Sequence, residues 1–206
     1  MRIQQLQYYD KSWKVFLHSD GFDRLQSQLV LAFGEPALIT DTSVFNHLER
    51  SYPEAHIILC SSTFMHDDVF DNSVIVTAAE FRNTFVHCVE TNIEDHPGSY
   101  QAGLYLMQQL QQKDLHAAYI ISDGAHINTH ELIDGFNATN TRQITVTNAL
   151  AGDDERFPLT SVGLNRSPGK GMVVAIGFYG RDPDCSHMEE YLRSIPTTFA
   201  SVTVKS

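Results

Sequence analysis

Compact apolar runs alternate with stretches of helical period along this chain. LVLAF, Leu29 to Phe33, ends at Gly34 and suits a strand covered on both faces better than a half-exposed one. In TDTSVFNHLERSYP, Thr40 or Asp41 can cap a helix that turns Val44, Phe45 and Leu48 inward and stops at Pro53. Ala55 to Cys60 predicts a second buried strand. SVIVTAAEF and TFVHCVE are rich in β-branched residues and separated only by Arg82-Asn83, which predicts a hairpin. SYQAGLYLMQQLQQ gathers Ala102, Leu104, Leu106, Met107 and Leu110 into one broad helical stripe. Ala117 to Ser122 is a third compact strand. Asn128, with Glu131 three residues later, opens the next helix as a capping box does, and Leu132, Ile133 and Phe136 face the core. ITVTNAL adds a strand, and FPLTSVGL and MVVAIGF read as a closing pair joined by the turn NRSPGKG.

Strands recurring with helices predict an α/β fold: a layered sandwich with a mixed, partly parallel central sheet and an antiparallel hairpin. Residues 1–28 read as an extension or first element, with Val15 to Leu17 as a short strand. Residues 29–180 form the main domain. Residues 181–206 are a tail or the start of a second unit, with a helix at His187 to Arg193 and a strand at Phe199 to Val204.

Charge narrows the choice of partner. The 206 residues carry 14 Lys+Arg against 25 Asp+Glu, a formal charge of -11, with no basic stripe to offset it. That field repels a phosphate backbone and an anionic membrane, so no nucleic-acid partner is expected. No stretch of about 18 apolar residues occurs and the N-terminus has no apolar leader core, so no membrane span or signal peptide is expected. Cys60, Cys88 and Cys185 are few, odd in number and widely spaced, which suits reduced thiols in the cytoplasm.

Polar sequences follow three of the predicted strands: Cys60-Ser61-Ser62-Thr63, Ser122-Asp123-Gly124 and Ala151-Gly152-Asp153-Asp154. If those strands are parallel neighbours, their loops converge at the carboxyl end of the sheet, where α/β proteins hold ligands. The candidate ligand-binding residues are Ser61, Ser62, Thr63, Ser122, Asp123, Gly124, Asn128, Gly152 and Asp153. Serine and threonine hydroxyls can donate, Asp123 and Asp153 can accept from an amine, and the helix N-terminus at Asn128 suits a carboxylate. Gly124 and Gly152 permit close backbone approach or a left-handed bend. The same residues equally serve turns and caps.

Other chemistries stand beside this one. Cys60 or Ser61 with Asp123 could support a hydrolase-like reaction, although Cys60 ends an apolar run and no Gly-x-Ser-x-Gly elbow surrounds Ser61. His66-Asp67-Asp68 with Asp71, and His126 with His130 and Glu131, read as solvated polar surface, since neither forms His-Glu-x-x-His on one helix face. Nucleotide motifs are missing and RSPGKG joins two strands. No metal, cofactor or reaction is assigned, and a non-catalytic interaction module is the remaining alternative.

LVLAFG, IILCSSTF, IISDG before the Asn128 cap, NALAGDD and GMVVAIGFYG occur in an order and spacing that resembles the N-terminal part of FIST-domain proteins, from about Leu29 to Gly180. The resemblance implies a cytoplasmic sensory domain that recognises a small polar metabolite, with amino acids as the suggested class, and relays occupancy to a downstream signalling protein or a further C-terminal domain. It maps the family's polar segments onto Cys60-Ser61-Ser62, Ser122-Asp123-Gly124 and Ala151-Gly152-Asp153. Where the family carries glycine this chain has Leu59 and Phe64, and Asn148-Ala149 replaces Gly-Gly. Side chains there narrow or alter the implied pocket.

Overall fold

A computed structural model describes residues 1–61, 72–110, 113–151 and 160–180. Strands β1 (Arg2–Tyr9), β2 (Ser12–His18), β3 (Leu29–Gly34), β4 (His56–Ser61), β5 (Ser73–Glu80) and β9 (Val162–Leu164) form one mixed sheet in the order β2-β1-β5-β3-β4-β9. Strands β6 (Phe85–Asn92), β7 (Leu115–Asp123), β8 (Thr145–Ala151) and β10 (Met172–Tyr179) form a second, ordered β6-β10-β7-β8. The helices are α1 (Pro36–Ile39), α2 (Thr42–Ser51), α3 (Ser99–Gln109) and α4 (Thr129–Ala138). No described helix is long and apolar enough to cross a membrane.

The two-residue period of a strand sorts the core into three clusters and the molecule into four layers. Leu29, Leu31, Phe33, Ile58 and Cys60 point inward and meet Tyr119, Ile121, Val174, Ile176 and Phe178 between the sheets. The alternate residues Val30, Ala32, Ile57, Leu59, Val74 and Val76 point outward and meet Val44, Leu48 and Tyr52 of the α2 region. On the far side, Ala118, Ile120, Val173 and Ala175 meet Leu106, Met107, Leu132 and Phe136 of α3 and α4. The order is therefore helix, sheet, sheet, helix. Both strand faces are covered, which explains the unbroken apolar runs.

Helices α3 and α4 cross closely because two glycines let them. A Cβ on Gly103 would fall on the carbonyl oxygen of Leu132, and one on Gly135 on that of Tyr100. Helix starts follow sequence signals: Asp41 accepts from the Ser43 amide at 2.8 Å, and Asn128 from the Glu131 amide at 3.3 Å. Only half of the expected capping box forms, since the Asn128 amide donates to Ser99 Oγ at 3.0 Å.

The mixed, partly parallel layered sandwich is as expected, with β3–β4 and β7–β8 parallel, but its apolar runs divide between two sheets. The hairpin lies elsewhere than predicted. Strands β5 and β6 belong to different sheets, so Phe81 to Thr84 crosses between layers instead of reversing within one. Strands β9 and β10 are likewise split, and NRSPGKG carries the chain from one sheet to the other. The antiparallel hairpin is β1–β2, in the least legible part of the sequence, and β1 pairs along its length with β5. The predicted elements at 187–193 and 199–204 lie outside the described residues.

Candidate functional site

Parallel pairing sends the chain out of β3 and β4 at the same end of the first sheet, and out of β7 and β8 at one end of the second. The segment at Thr160-Ser161 joins those two ends. The Ser161 amide donates to Ser61 Oγ at 2.7 Å, and the Ser61 amide and hydroxyl both donate to the Ser161 carbonyl, at 2.9 and 3.3 Å. One residue earlier, the Thr160 hydroxyl donates to Asp123 Oδ1.

Asp123 is 0% exposed and acts as a hub. Its Oδ1 also accepts from the Ala125 amide at 3.0 Å, while Oδ2 accepts from the Gly171 amide at 2.7 Å and contacts His126 Nδ1 at 2.8 Å. Gly171 presents its amide from a left-handed conformation, φ 67°, and its carbonyl accepts from the Ile93 amide. A β-carbon there would meet Asn92 Oδ1 at 3.0 Å, so glycine is favoured twice over. One buried carboxylate thus fixes both ends of the 160–171 segment.

That segment forms one wall of an open cleft of about 420 Å³. Thr160, Ser161, Pro168 and Lys170 line this wall, and Glu35, Pro36 and Thr40, from the loop after β3 and from α1, line the other. Glu35 and Lys170 bring opposite charges to it, and neither side chain has an ion-pair partner among the described residues. Pro36, Ala37 and Pro168 supply apolar surface between them.

The sequence-derived residues divide accordingly. Ser61 and Asp123 are brought to the same rim, bridged by Ser161 and Thr160. Ser122 is not: consecutive strand residues face opposite sides, so Asp123 looks between the sheets and Ser122 toward α3 and α4. Its hydroxyl is buried without a partner among the described residues, as is the side-chain amide of Asn148, which pairs in register with Ile120. Asn128 caps α4. Gly124 sits in the turn after β7 without the left-handed conformation, which belongs to Gly171. Ser62, Thr63, Gly152 and Asp153 lie outside the described residues, as do His66, Asp67, Asp68 and Asp71.

The nucleophile candidates are closed off. Burial, and then the nearby Asp123, push the Cys60 thiol well above its ordinary range, and Sγ donates to the Ser61 carbonyl. The Ser61 hydroxyl is buried and engaged in both directions with Ser161.

Sequence reading missed Thr160, Ser161, Gly171, Glu35 and Lys170. Glu35 had a signal, because Glu35-Pro36 follows a compact strand just as Ser61-Ser62 does. Thr160 and Gly171 had none, since their role depends on Asp123 across the gap between layers.

A family model described as the FIST N domain matches residues 28–194. No curated protein matches the chain.

Proposed function

Because the chain belongs to the FIST N domain family of signal-transduction sensory domains, we propose that it senses a zwitterionic metabolite of amino-acid type in the cleft between Glu35 and Lys170. The observation that carries this is the pair of opposite charges, without ion-pair partners among the described residues, lining one small cleft. Glu35 accepts from the ligand's ammonium group, Lys170 donates to its carboxylate, and Pro36, Ala37 and Pro168 contact its side chain. Ser161 and Thr160 complete the polar wall. Asp123 and Ser61 position that wall from behind, which replaces the direct ligand contact expected of them from sequence. Ser62, Thr63, Gly152 and Asp153 join the proposal by chain order alone, as continuations of Ser61 and Ala151.

Signalling requires that ligand bind two conformations unequally. The 160–171 segment suits that role, because it runs from the first sheet to the second and the Asp123 carboxylate ties its two ends together. A cytoplasmic location and a downstream protein or further domain as recipient complete the proposal.

Calorimetric titration with the standard amino acids tests it. At least one binds saturably, and Glu35→Gln or Lys170→Gln weakens it about tenfold or more, the usual scale for a lost charged hydrogen bond. Acetylating the ligand's amine abolishes binding. The proposal fails if no amino acid saturates the protein, or if both variants bind like the parent.

A further inference from the structure

A second cavity, of about 400 Å³, lies on the outer face of the first sheet between the β1–β2 hairpin and α2. The hairpin precedes the family match at 28–194, so this cavity combines a family element with one outside it. Its helical side is a single stripe. Ser43, His47 and Arg50 stand at successive turns of α2 with Asn46 beside them, while Val44 and Leu48 are buried in the core.

The other side is aromatic. Tyr8 and Trp13 sit opposite each other in the hairpin register, with ring centroids 4.9 Å apart. Trp13 stacks on His47 at 4.4 Å with the planes 10° apart, which joins the hairpin to the helix. The turn at Asp10-Lys11 puts both residues in the left-handed region, φ 47° and 58°. Neither is a glycine, and hairpin turns of this kind favour Asn-Gly. The strained turn brings Lys11 to the cavity.

The electrostatics run against the rest of the molecule. In a chain of net charge -11 the lining contains no carboxylate. Lys11 and Arg50 both reach it, and neither has an acidic partner among the described residues. Arg24, bonded through Nε to Gln4 Oε1 at 2.9 Å, adds to the positive field nearby. Burial first, then Arg24 and Arg50, lower the His47 pKa, which disfavours the imidazolium and keeps the ring that stacks on Trp13 in its neutral form. The side chains of Asn46, Lys11 and Arg50 carry N–H donors for a ligand, while Ser43 is engaged with the Asp41 carboxylate.

We propose that this cavity binds a small aromatic oxyanion, its phosphoryl or carboxyl group held by Arg50 and Lys11 and its ring laid against Tyr8 and Trp13. A guanidinium offers a paired-donor fork to either group, the lysine adds a point charge, and the tyrosine–tryptophan wall fits a flat ring. The site lies on a different layer boundary from the Glu35–Lys170 cleft and does not depend on it.

Trp13 is the only tryptophan in the chain, so tryptophan emission reports on this cavity. The full chain is titrated with phenyl phosphate, benzoate, inorganic phosphate and phenol. Phenyl phosphate or benzoate shifts the emission saturably, phenol does not, and the tighter of the two identifies the preferred anionic group. The Lys11→Gln/Arg50→Gln double variant changes only exposed side chains, keeps the parent's unfolding midpoint and binds about tenfold or more weakly. The inference is overturned if neither aromatic anion gives a saturable change, or if the double variant binds like the parent. Equal affinity for inorganic and phenyl phosphate would overturn the part assigned to the ring.

Discussion

Replacing Asp123 by alanine strips the acceptor from the amides of Ala125 and Gly171, the Thr160 hydroxyl and the His126 ring. Gly171 and Thr160 are buried, and each buried donor left without a partner costs about 1–3 kcal/mol. The Ala125 amide keeps a weaker acceptor, Thr160 Oγ1 at 3.3 Å, and the His126 ring, 45% exposed, can turn to water. The expected loss is therefore about 3–5 kcal/mol, a large part of the usual stability of a domain. Asparagine keeps one carbonyl acceptor but turns its own amide toward the Gly171 amide or His126, so Asp123→Asn recovers only about half of that loss. Urea denaturation reads the change as a lower midpoint at unchanged slope. Hydrogen exchange at the Gly171 amide reads it locally. Asp134→Ala, on the exposed face of α4, is the control and stays within about 0.5 kcal/mol of the parent. The reasoning is refuted if Asp123→Ala loses less than about 1 kcal/mol while the Gly171 amide remains protected.

Other consequences can be checked separately. Gly103→Ala or Gly135→Ala drives a methyl group into the facing helix backbone and costs about 1–3 kcal/mol or more, read by denaturation; a neutral result at both would mean the helices separate freely. Desolvation chiefly lowers the pKa values of His47 and His56, with Arg24 and Arg50 adding to the first and His87 to the second. The unfolded chain then takes up these protons first, so stability is full above the ordinary imidazole value of about 6.5 and falls as the pH drops through it. Melting temperature should decline between about pH 7 and 5.5, less steeply in His56→Gln; a flat profile contradicts the assignment. Burial raises the pKa of both Cys60 and Cys88, so thiol reagents should modify neither rapidly in the native protein at neutral pH. Fast labelling of Cys60, located by peptide mass spectrometry, would reopen a nucleophilic role.

Much of the layered fold was legible because its strands are covered on both faces and betray themselves as apolar runs. What was hidden traces to particular residues. Strand β1 reads RIQQLQYY, and its buried Gln4 looks like surface until Arg24, Tyr52 and His18 are seen to satisfy it. The partition of strands between sheets leaves no local mark, since Arg82-Asn83 serves a crossing between layers as well as a hairpin. The site followed the same division. Ser61 and Asp123 do reach one rim, but from strands of different sheets and not as parallel neighbours, and no spacing rule reveals that the Asp123 acceptors are filled by Thr160, Ala125, Gly171 and His126. Ser122 was misplaced because one residue's shift along a strand exchanges one face of the sheet for the other.

Backbone amide shifts recorded during titration with an amino acid test the sensory cleft most directly. Binding between Glu35 and Lys170 gives saturable shifts at Ala37, Ser161, Gly169, Lys170 and Gly171, lost in the Glu35→Gln/Lys170→Gln double variant, with α3 and α4 unmoved. Saturable shifts confined to α3, α4 and the ends of β7 and β8, or no saturable shift with any amino acid, would contradict it.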